Sequence, residues 1–172
     1  MLARKNKIME KLPQRKPNRL EYYDYSSCGV YFITICVKGK SCIFWENPTT
    51  IKIGDRIIFT EYGIVADKAI NNIRKHYKNI KVDNYVIMPN HIHLLLSICG
   101  DECGRAMLAP TISTVIMQLK GYITKKVGFP IWQKSFHDRI IRSKAEYLKI
   151  WEYIENNPVN WQNDCFFVNN DR

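Results

Sequence analysis

The sequence contains no long uninterrupted hydrophobic run. Its apolar segments are too short and too interrupted for a membrane-spanning helix, which needs about 20 consecutive apolar residues. The N-terminus likewise lacks the apolar stretch of a secretory signal peptide. These two absences predict a cytoplasmic protein that does not associate with a membrane.

Cysteine motifs of the metal-binding or redox type are also missing. The six cysteines show no Cys-x-x-Cys spacing, and several lie in apolar surroundings. Cys99 and Cys103 enclose Gly100-Asp-Glu, which is typical of a surface turn, and no second cysteine pair could complete a zinc site with them. We therefore expect reduced, mostly structural thiols.

Nothing in the sequence divides the chain into separate domains. It has no internal repeat and no low-complexity linker, and 172 residues suffice for a substantial core without disulfides. We predict a single domain over residues 19–172, preceded by a basic N-terminal arm over residues 1–18.

Acidic residues are scarce relative to basic ones. The chain has 26 Lys and Arg against 16 Asp and Glu, which gives a formal net charge of +10. The imbalance is greatest in Met1 to Arg19, where seven basic residues accompany one acidic residue, Glu10. Such a run is by default a solvated arm. The charge of the whole chain favours a partner rich in phosphate without identifying it.

Two histidines separated by one residue lie inside an apolar run. Pro89-Asn90 predicts a tight turn between two β-rich segments, Ile80 to Met88 and His91 to Ile98. In the second strand, His91 and His93 would point to one face of the sheet, while Ile92, Leu94 and Leu96 would pack into the core on the other face. Two imidazoles on one face can share a divalent cation. Taken alone, such a pair is more often structural than metal-binding.

A well-bounded helix follows near the C-terminus. Ser143-Lys-Ala-Glu146 has the form of a capping box, and Pro158 ends the helical segment. Tyr153 lies beside the apolar stripe of this helix, and Asn157 follows four residues later on the same face, so the hydroxyl and the amide could reach one point. Half-buried packing of Tyr153 and helix termination by Asn157 are the alternative interpretations. The apolar stripe is Tyr147, Ile150, Trp151 and Ile154.

Further elements are indicated by composition and spacing. Val30 to Val37 is β-branched and aromatic, as expected of a strand, and Glu61 to Tyr77 carries Ile64, Ala69, Ile70 and Ile73 as expected of a helix against a sheet. Another helix is predicted by core residues at helical spacing, namely Ile112, Val115, Ile116, Leu119, Tyr122 and Ile123. On that helix, three basic side chains face either solvent or a nucleic-acid backbone: Lys120, Lys125 and Lys126.

Three motifs, in order along the chain, resemble those of a known family. They are Met88-Pro-Asn-His-Ile-His-Leu-Leu95, Trp132-Gln-Lys-Ser-Phe-His-Asp-Arg-Ile-Ile141 and Tyr153-Ile-Glu-Asn-Asn-Pro-Val159. The similarity extends from about Arg19 to Trp161 and includes Tyr23-Asp-Tyr25 and Tyr31-Phe-Ile-Thr-Ile35. The chain resembles the REP-associated tyrosine transposases, which are small members of the single-tyrosine HUH transposases.

This resemblance implies a fold and a chemistry. The fold would be a ferredoxin-like α+β domain with helices packed on an antiparallel sheet, the histidines on a central strand and the tyrosine on a C-terminal helix. Tyr153 would attack a phosphodiester of single-stranded DNA at an imperfect palindrome or hairpin, leaving a 5′-phosphotyrosine and a free 3′-hydroxyl; rejoining would reverse this step. A Mg²⁺ or Mn²⁺ ion held by His91, His93 and Asn157 would orient and polarise the scissile phosphate.

The resemblance also suggests which residues contact DNA. In the N-terminal arm these are Arg15, Lys16 and Arg19, because arms of this family can contact bases beside a DNA hairpin. His137 and Arg139 belong to the second motif, where a role for His137 or Asp138 in DNA binding, packing or acid/base chemistry stays open. The site could be completed within one chain or in a homodimer that exchanges the tyrosine helix.

Two other functions fit the same sequence. A protein with this fold and basic surface could bind hairpin DNA without cutting it. Alternatively, a metal-dependent phosphodiesterase could use activated water, release its product without a covalent adduct and remain active without Tyr153.

Overall fold

A computed structural model describes residues 28–48, 55–99 and 111–168. The predicted basic arm with Arg15 and Lys16, and Arg19 directly after it, lie outside these ranges. The strands are β1 (Gly29–Cys36), β2 (Ile80–Ile87), β3 (His91–Ile98) and β4 (His137–Ile141). The helices are α1 (Glu61–Asn71), α2 (Ile73–His76), α3 (Ile112–Val127) and α4 (Lys144–Asn156). No helix within the described ranges has the length and apolar character needed to cross a bilayer.

The four strands form one antiparallel sheet in the order β2-β3-β1-β4. Together with the alternation of strands and helices along the chain, this order is that of a ferredoxin-like α+β fold. The predicted fold class is therefore confirmed. The predicted hairpin is confirmed as well, because β2 and β3 are adjacent, and β3, which carries both histidines, is a central strand.

The two faces of the sheet have different partners. Ile92, Leu94 and Leu96 are fully buried in the core, as the alternation along β3 predicts. Tyr85, which pairs with Leu94, donates a hydrogen bond to Asp67 of α1, so α1 lies on this face. Helix α3 contacts α1 and completes the layer. The histidines point to the opposite face.

Helix α1 begins at the N-cap Thr60, whose side chain accepts a hydrogen bond from the Gly63 backbone N–H. Gly63 lets this helix approach the rest of the core closely, because a Cβ there would lie 2.4 Å from the Phe44 carbonyl oxygen. The single helix predicted from Glu61 to Tyr77 is divided at Asn72 into α1 and α2. Ile64, expected against the sheet, has 44% of its surface exposed.

Helix α3 confirms the predicted apolar spacing with one exception. Ile112, Val115, Ile116, Leu119 and Ile123 are buried in the core. Placing Tyr122 with them was wrong, because it is 47% exposed at the edge of the stripe. The helix ends at Gly128, whose φ of 91° is the left-handed conformation common after a helix C-terminus.

Helix α4 packs on the histidine face of its own sheet. The predicted cap is confirmed, since Ser143 Oγ accepts the Glu146 backbone N–H and Glu146 Oε2 accepts the Arg142 backbone N–H. At the other end of the helix, Asn84 of β2 donates to Glu155 Oε1 at 2.8 Å. Helix α4 contacts both β2 and β3, and its own residue Ile154 is buried. The tyrosine helix thus reaches the histidines of its own chain.

Strand β4 covers only the second half of the second motif, Trp132 to Ile141. Only His137–Ile141 pairs with β1, and Trp132 forms an isolated bridge with Val37. Side chains alternate along β4, so His137 and Arg139, opposite Thr34 and Phe32, share the face of the histidine pair.

Candidate metal and tyrosine site

The two histidine side chains of β3 face each other inside the protein. His91 is fully buried and His93 is 2% exposed. Their Nε2 atoms lie 3.0 Å apart. The rings of Phe166 and Trp161 lie 4.6 and 6.1 Å from the ring of His91, which explains its isolation from water. Burial lowers the pKa of both histidines to about 3, so both rings are neutral at physiological pH.

The outer nitrogen of each ring is already engaged. His91 Nδ1 lies 2.9 Å from Asn90 Oδ1, and His93 Nδ1 lies 2.9 Å from Thr34 Oγ1. Each Nδ1 therefore has a hydrogen-bond partner outside the pair, and the Nε2 atoms are the ones that converge. This pattern is typical of metal-binding histidines, whose second nitrogen is held by a neighbouring polar group.

Asp164 adds a carboxylate to the histidine pair. Its Oδ2 lies 3.9 Å from His91 Nε2, and its side chain is only 4% exposed. Asp164 Oδ1 accepts the Phe166 backbone N–H at 2.7 Å, which orients the carboxylate and leaves Oδ2 facing the histidines. One ligand atom from each of His91, His93 and Asp164 lies within 4.8 Å of the others, so the three side chains form a group that could hold a metal ion.

Tyr153 brings a hydroxyl to this group. Its Oη lies 3.2 Å from His93 Nε2 and 3.5 Å from Asp164 Oδ2. Burial and then the negative charge of Asp164 raise the pKa of Tyr153 to about 12, and a hydrogen bond from Asn157 opposes this rise. The ring of Phe32 meets Tyr153 edge-on and stacks on His93, so it fixes the tyrosine against the histidine.

Asn157 occupies the C-terminal cap of α4, one turn after the tyrosine. Its side chain is 3% exposed, yet Oδ1 accepts no hydrogen bond from any described residue. A buried amide oxygen without a donor is costly unless something else binds it. An ion between the histidines and α4 would supply that partner, and nitrogen and oxygen donors without sulfur suit a hard or borderline divalent cation. The residues present therefore fit a metal ion.

Solvent reaches the tyrosine from one side. A groove of about 550 Å³, lined mainly by polar residue types, runs along the second half of α4 and the segment after it, and Tyr153 is 41% exposed there. Lys149 and Glu152 place opposite charges in this groove, and Asn160 and Asp164 also line it.

The basic residues predicted to bind DNA occupy different places. His137 and Arg139 are exposed on the histidine face, where Arg139 forms an ion pair with Glu146 at 2.6 Å. Lys125 and Lys126 are exposed on the last turn of α3, in the helix layer on the other face. Lys120 is half-buried and donates to the carbonyls of Gln133 and Ser135 at 2.8 and 2.7 Å, so it anchors the segment that precedes β4.

The sequence left open an acid/base role for His137 or Asp138, and the sheet register places these two residues on opposite faces. Asp138 pairs with Ile33, so its side chain points to the face opposite the histidines. Asp164, eleven residues after Tyr153, was not among the predicted site residues. The only sequence signal for it is a lone carboxylate just beyond the tyrosine helix, because the loop that carries it has no periodic pattern.

A curated protein of Haemophilus influenzae, described as uncharacterised, is similar over nearly the whole length. It is 31% identical to this chain over 173 residues, which cover 90% of this chain and 93% of that protein. The chain belongs to the same family as this protein. No protein-family model matches the sequence.

A solved structure shares the fold. A REP-associated tyrosine transposase bound to a REP hairpin superposes with a TM-score of 0.61 and 22% identity, covering 83% of this chain and 74% of that one. The resemblance inferred from the three motifs is thus confirmed at the level of the fold.

Proposed function

We propose that this chain is a transposase that cleaves and rejoins single-stranded DNA, with Tyr153 as the nucleophile. The observation that carries the proposal is the position of Tyr153 Oη, 3.2 Å from His93 Nε2 and beside the group formed by His91, His93 and Asp164. A hydroxyl that only packed at a helix edge would not need to lie within 3.5 Å of both His93 Nε2 and Asp164 Oδ2, whose side chains are almost fully buried.

Cleavage is a transesterification. Tyr153 Oη attacks phosphorus, the bond from phosphorus to the 3′ oxygen breaks, and the products are a 5′-phosphotyrosine and a 3′-hydroxyl. The phenol must lose its proton during attack, because its pKa of about 12 keeps it protonated at neutral pH. Tyr153 is 41% exposed in the groove, so water there can accept that proton, and the departing 3′ oxygen takes a proton from solvent. Rejoining runs the same bonds in reverse, so no further energy source is required.

The histidines, Asp164 and the Asn157 amide oxygen would hold the ion, which we propose to be Mg²⁺ or Mn²⁺. When bound, such an ion supplies charge stabilisation to the non-bridging oxygens of the scissile phosphate. The protein contributes two neutral imidazoles with inward nitrogens, a carboxylate oriented by the Phe166 N–H, and an amide oxygen that has no donor among the described residues.

The DNA substrate is proposed to be a hairpin or imperfect palindrome with a single-stranded flank. We assign the groove beside Tyr153, which Lys149 lines, as the path of the strand, and His137 and Arg139 extend the same face toward the sheet edge. The solved protein with this fold is bound to a REP hairpin. Arg15, Lys16, Arg19, Lys120, Lys125 and Lys126 stay predicted DNA contacts. Because α4 docks on its own sheet, one chain can supply both the tyrosine and the histidines.

The decisive experiment tests for a covalent protein–DNA adduct on a denaturing gel. Labelled single-stranded stem-loops with randomised flanks are incubated with Mn²⁺ or Mg²⁺ and with wild-type, Tyr153→Phe or Tyr147→Phe protein. Tyr147 is the matched control, because it lies on the same helix but near Asp83 of β2 rather than at the histidines. We expect a metal-dependent adduct with wild type and Tyr147→Phe and none with Tyr153→Phe.

Each alternative function has its own outcome in this assay. Cleaved product without an adduct, persisting in Tyr153→Phe, would establish a water-activating phosphodiesterase instead. Binding of the pool with neither cleavage nor adduct would favour a hairpin-DNA binding protein.

A further inference from the structure

We propose that Asn90 is a positioning residue that fixes the tautomer of His91, so that His91 Nε2 is a ready lone pair while His93 changes tautomer when the ion binds. This inference rests on the metal site of the proposed function. It assigns a role to the residue at the turn between β2 and β3, which the sequence indicated only as a turn former.

The orientation of the Asn90 amide is fixed by what surrounds it. The side chain is 1% exposed, and one end lies 3.1 Å from the Lys40 carbonyl oxygen and 2.9 Å from the Phe166 carbonyl oxygen. Carbonyl oxygens only accept hydrogen bonds, so this end must be the NH₂ group, which has two N–H bonds to donate. The opposite end, which meets His91, must therefore be the oxygen.

That orientation determines which nitrogen of His91 carries the proton. Asn90 Oδ1 can only accept, and it lies 2.9 Å from His91 Nδ1, so Nδ1 is the donor. A neutral imidazole has a single N–H, which leaves His91 Nε2 as a bare lone pair. The Nε2 atom faces His93 Nε2 at 3.0 Å and Asp164 Oδ2 at 3.9 Å, so the lone pair points into the site.

Thr34, the hydrogen-bond partner of His93 Nδ1, does not determine which nitrogen of His93 carries the proton. Thr34 Oγ1 is a hydroxyl, which can donate to Nδ1 or accept from it by rotating its O–H bond. Without an ion, the 3.0 Å contact between the two Nε2 atoms is favourable only if one of them donates. Because His91 Nε2 is a lone pair, the donor must be His93 Nε2–H, and Thr34 then donates to His93 Nδ1. The Tyr153 hydroxyl, which also lies 3.2 Å from His93 Nε2, then donates to Asp164 Oδ2 instead.

Ion binding requires the other arrangement at His93. A ligating Nε2 has to be a lone pair, so the proton of His93 moves to Nδ1 and the Thr34 hydroxyl turns to accept it. His91 needs no change. The Asn90 amide therefore fixes the tautomer of His91, whereas the Thr34 hydroxyl lets His93 change tautomer when the ion binds. Neither imidazole ring has to move.

The histidine tautomers are observable directly. Metal-stripped protein labelled with ¹⁵N in its histidine rings would be examined by long-range ¹H–¹⁵N correlation, with the four histidines assigned by single substitutions. We expect Nδ1–H at His91 and Nε2–H at His93, and Nδ1–H at both after addition of Zn²⁺, used here as a diamagnetic probe. Nε2–H at His91 in the metal-free protein would overturn the proposal, and this test needs no variant of Asn90.

The energetic role is tested by Mn²⁺ binding, measured by calorimetry, with two Asn90 variants. Asn90→Ala should weaken binding by about 10–100-fold, the usual effect of losing a group that orients a ligand. Asn90→Asp keeps an acceptor for His91 Nδ1–H and should retain the His91 tautomer even if the protein is less stable. Asn71→Ala, which removes an amide of α1 hydrogen-bonded to Asp67 and Tyr85, is the control. Affinity in Asn90→Ala within twofold of wild type would contradict the proposal.

Failure of this inference can be separated from failure of the proposed function. If wild-type protein forms the tyrosine adduct but binds no Mn²⁺, the role given to Asn90 is wrong and the tyrosine chemistry stands. If Mn²⁺ binding shows the expected loss in Asn90→Ala but no adduct forms, the metal site and its Asn90 support stand and the transposase proposal is wrong.

Discussion

Acidification should destabilise the metal-free protein through His91 and His93, and the size of the effect follows from their burial. In the unfolded chain a histidine has a pKa of about 6.5. In the folded chain burial lowers the pKa of both to about 3. Between these values the unfolded state binds protons that the folded state cannot bind, so the free energy of unfolding falls as pH falls.

The magnitude depends mainly on the unfolded-state pKa. At pH 5.5 an unfolded histidine is about 90% protonated, which favours unfolding by a factor of about ten for each residue. Two such histidines therefore reduce the free energy of unfolding by roughly 3 kcal/mol between pH 7.5 and pH 5.5. The stability is fully present above about pH 7 and is lost progressively below pH 6.5.

Urea unfolding with EDTA at the two pH values measures this effect. The His91→Gln/His93→Gln double variant should lose most of the pH dependence, although its stability at pH 7.5 will differ. The His76→Gln/His137→Gln variant is the control, because both of these histidines are exposed and should leave the pH dependence as in wild type. Equal pH dependence in wild type and the His91/His93 variant would refute the reasoning.

Three further substitutions test the hydrophobic core, the close packing of α1 against Phe44 and the proposed metal site. Leu94→Ala removes a fully buried side chain from the core face of β3 and should lower the free energy of unfolding by about 2–5 kcal/mol, measured by urea denaturation. Gly63→Ala places a Cβ 2.4 Å from the Phe44 carbonyl oxygen, so it should destabilise by about 1–3 kcal/mol or more; an unchanged unfolding midpoint would contradict the close approach of α1. Asp164→Asn removes the negative charge from the ligand group and should weaken Mn²⁺ binding at least about tenfold with the fold retained, as judged by calorimetry and circular dichroism.

Local patterns in the sequence were sufficient for the parts of the site that lie on regular elements. Alternation along β3 places His91 and His93 on one face, and the cap at Ser143 defines the helix that carries Tyr153. Both are short-range signals, because strand alternation and capping depend on neighbours within a few residues. The motifs then related the two elements to each other through the resemblance to a known family.

The parts that the sequence did not predict depend on long-range contacts of irregular segments. Asp164 meets His91 across 73 positions, and Asn90 reaches the Phe166 carbonyl across 76. Neither contact follows from a period, a cap or a turn type. The break in the helix at Asn72 and the exposure of Tyr122 were missed for a related reason, since helical spacing does not tell where a neighbouring element ends.

The alternation along β3 also bears on how this protein tolerates change. Odd positions such as His91 and His93 are constrained by lone pairs and protons, whereas even positions such as Ile92 and Leu94 are constrained by volume. A complete substitution scan of residues 91–94 should therefore show two alternating kinds of damage, with variants that fold but do not bind Mn²⁺ at positions 91 and 93 and variants that do not accumulate at positions 92 and 94. The alternation ends at Leu95, which is fully buried in the core although it lies on the histidine face. Neighbouring residues of β3 are thus subject to different constraints, so the two histidines can be substituted without repacking the core on the other side of the sheet.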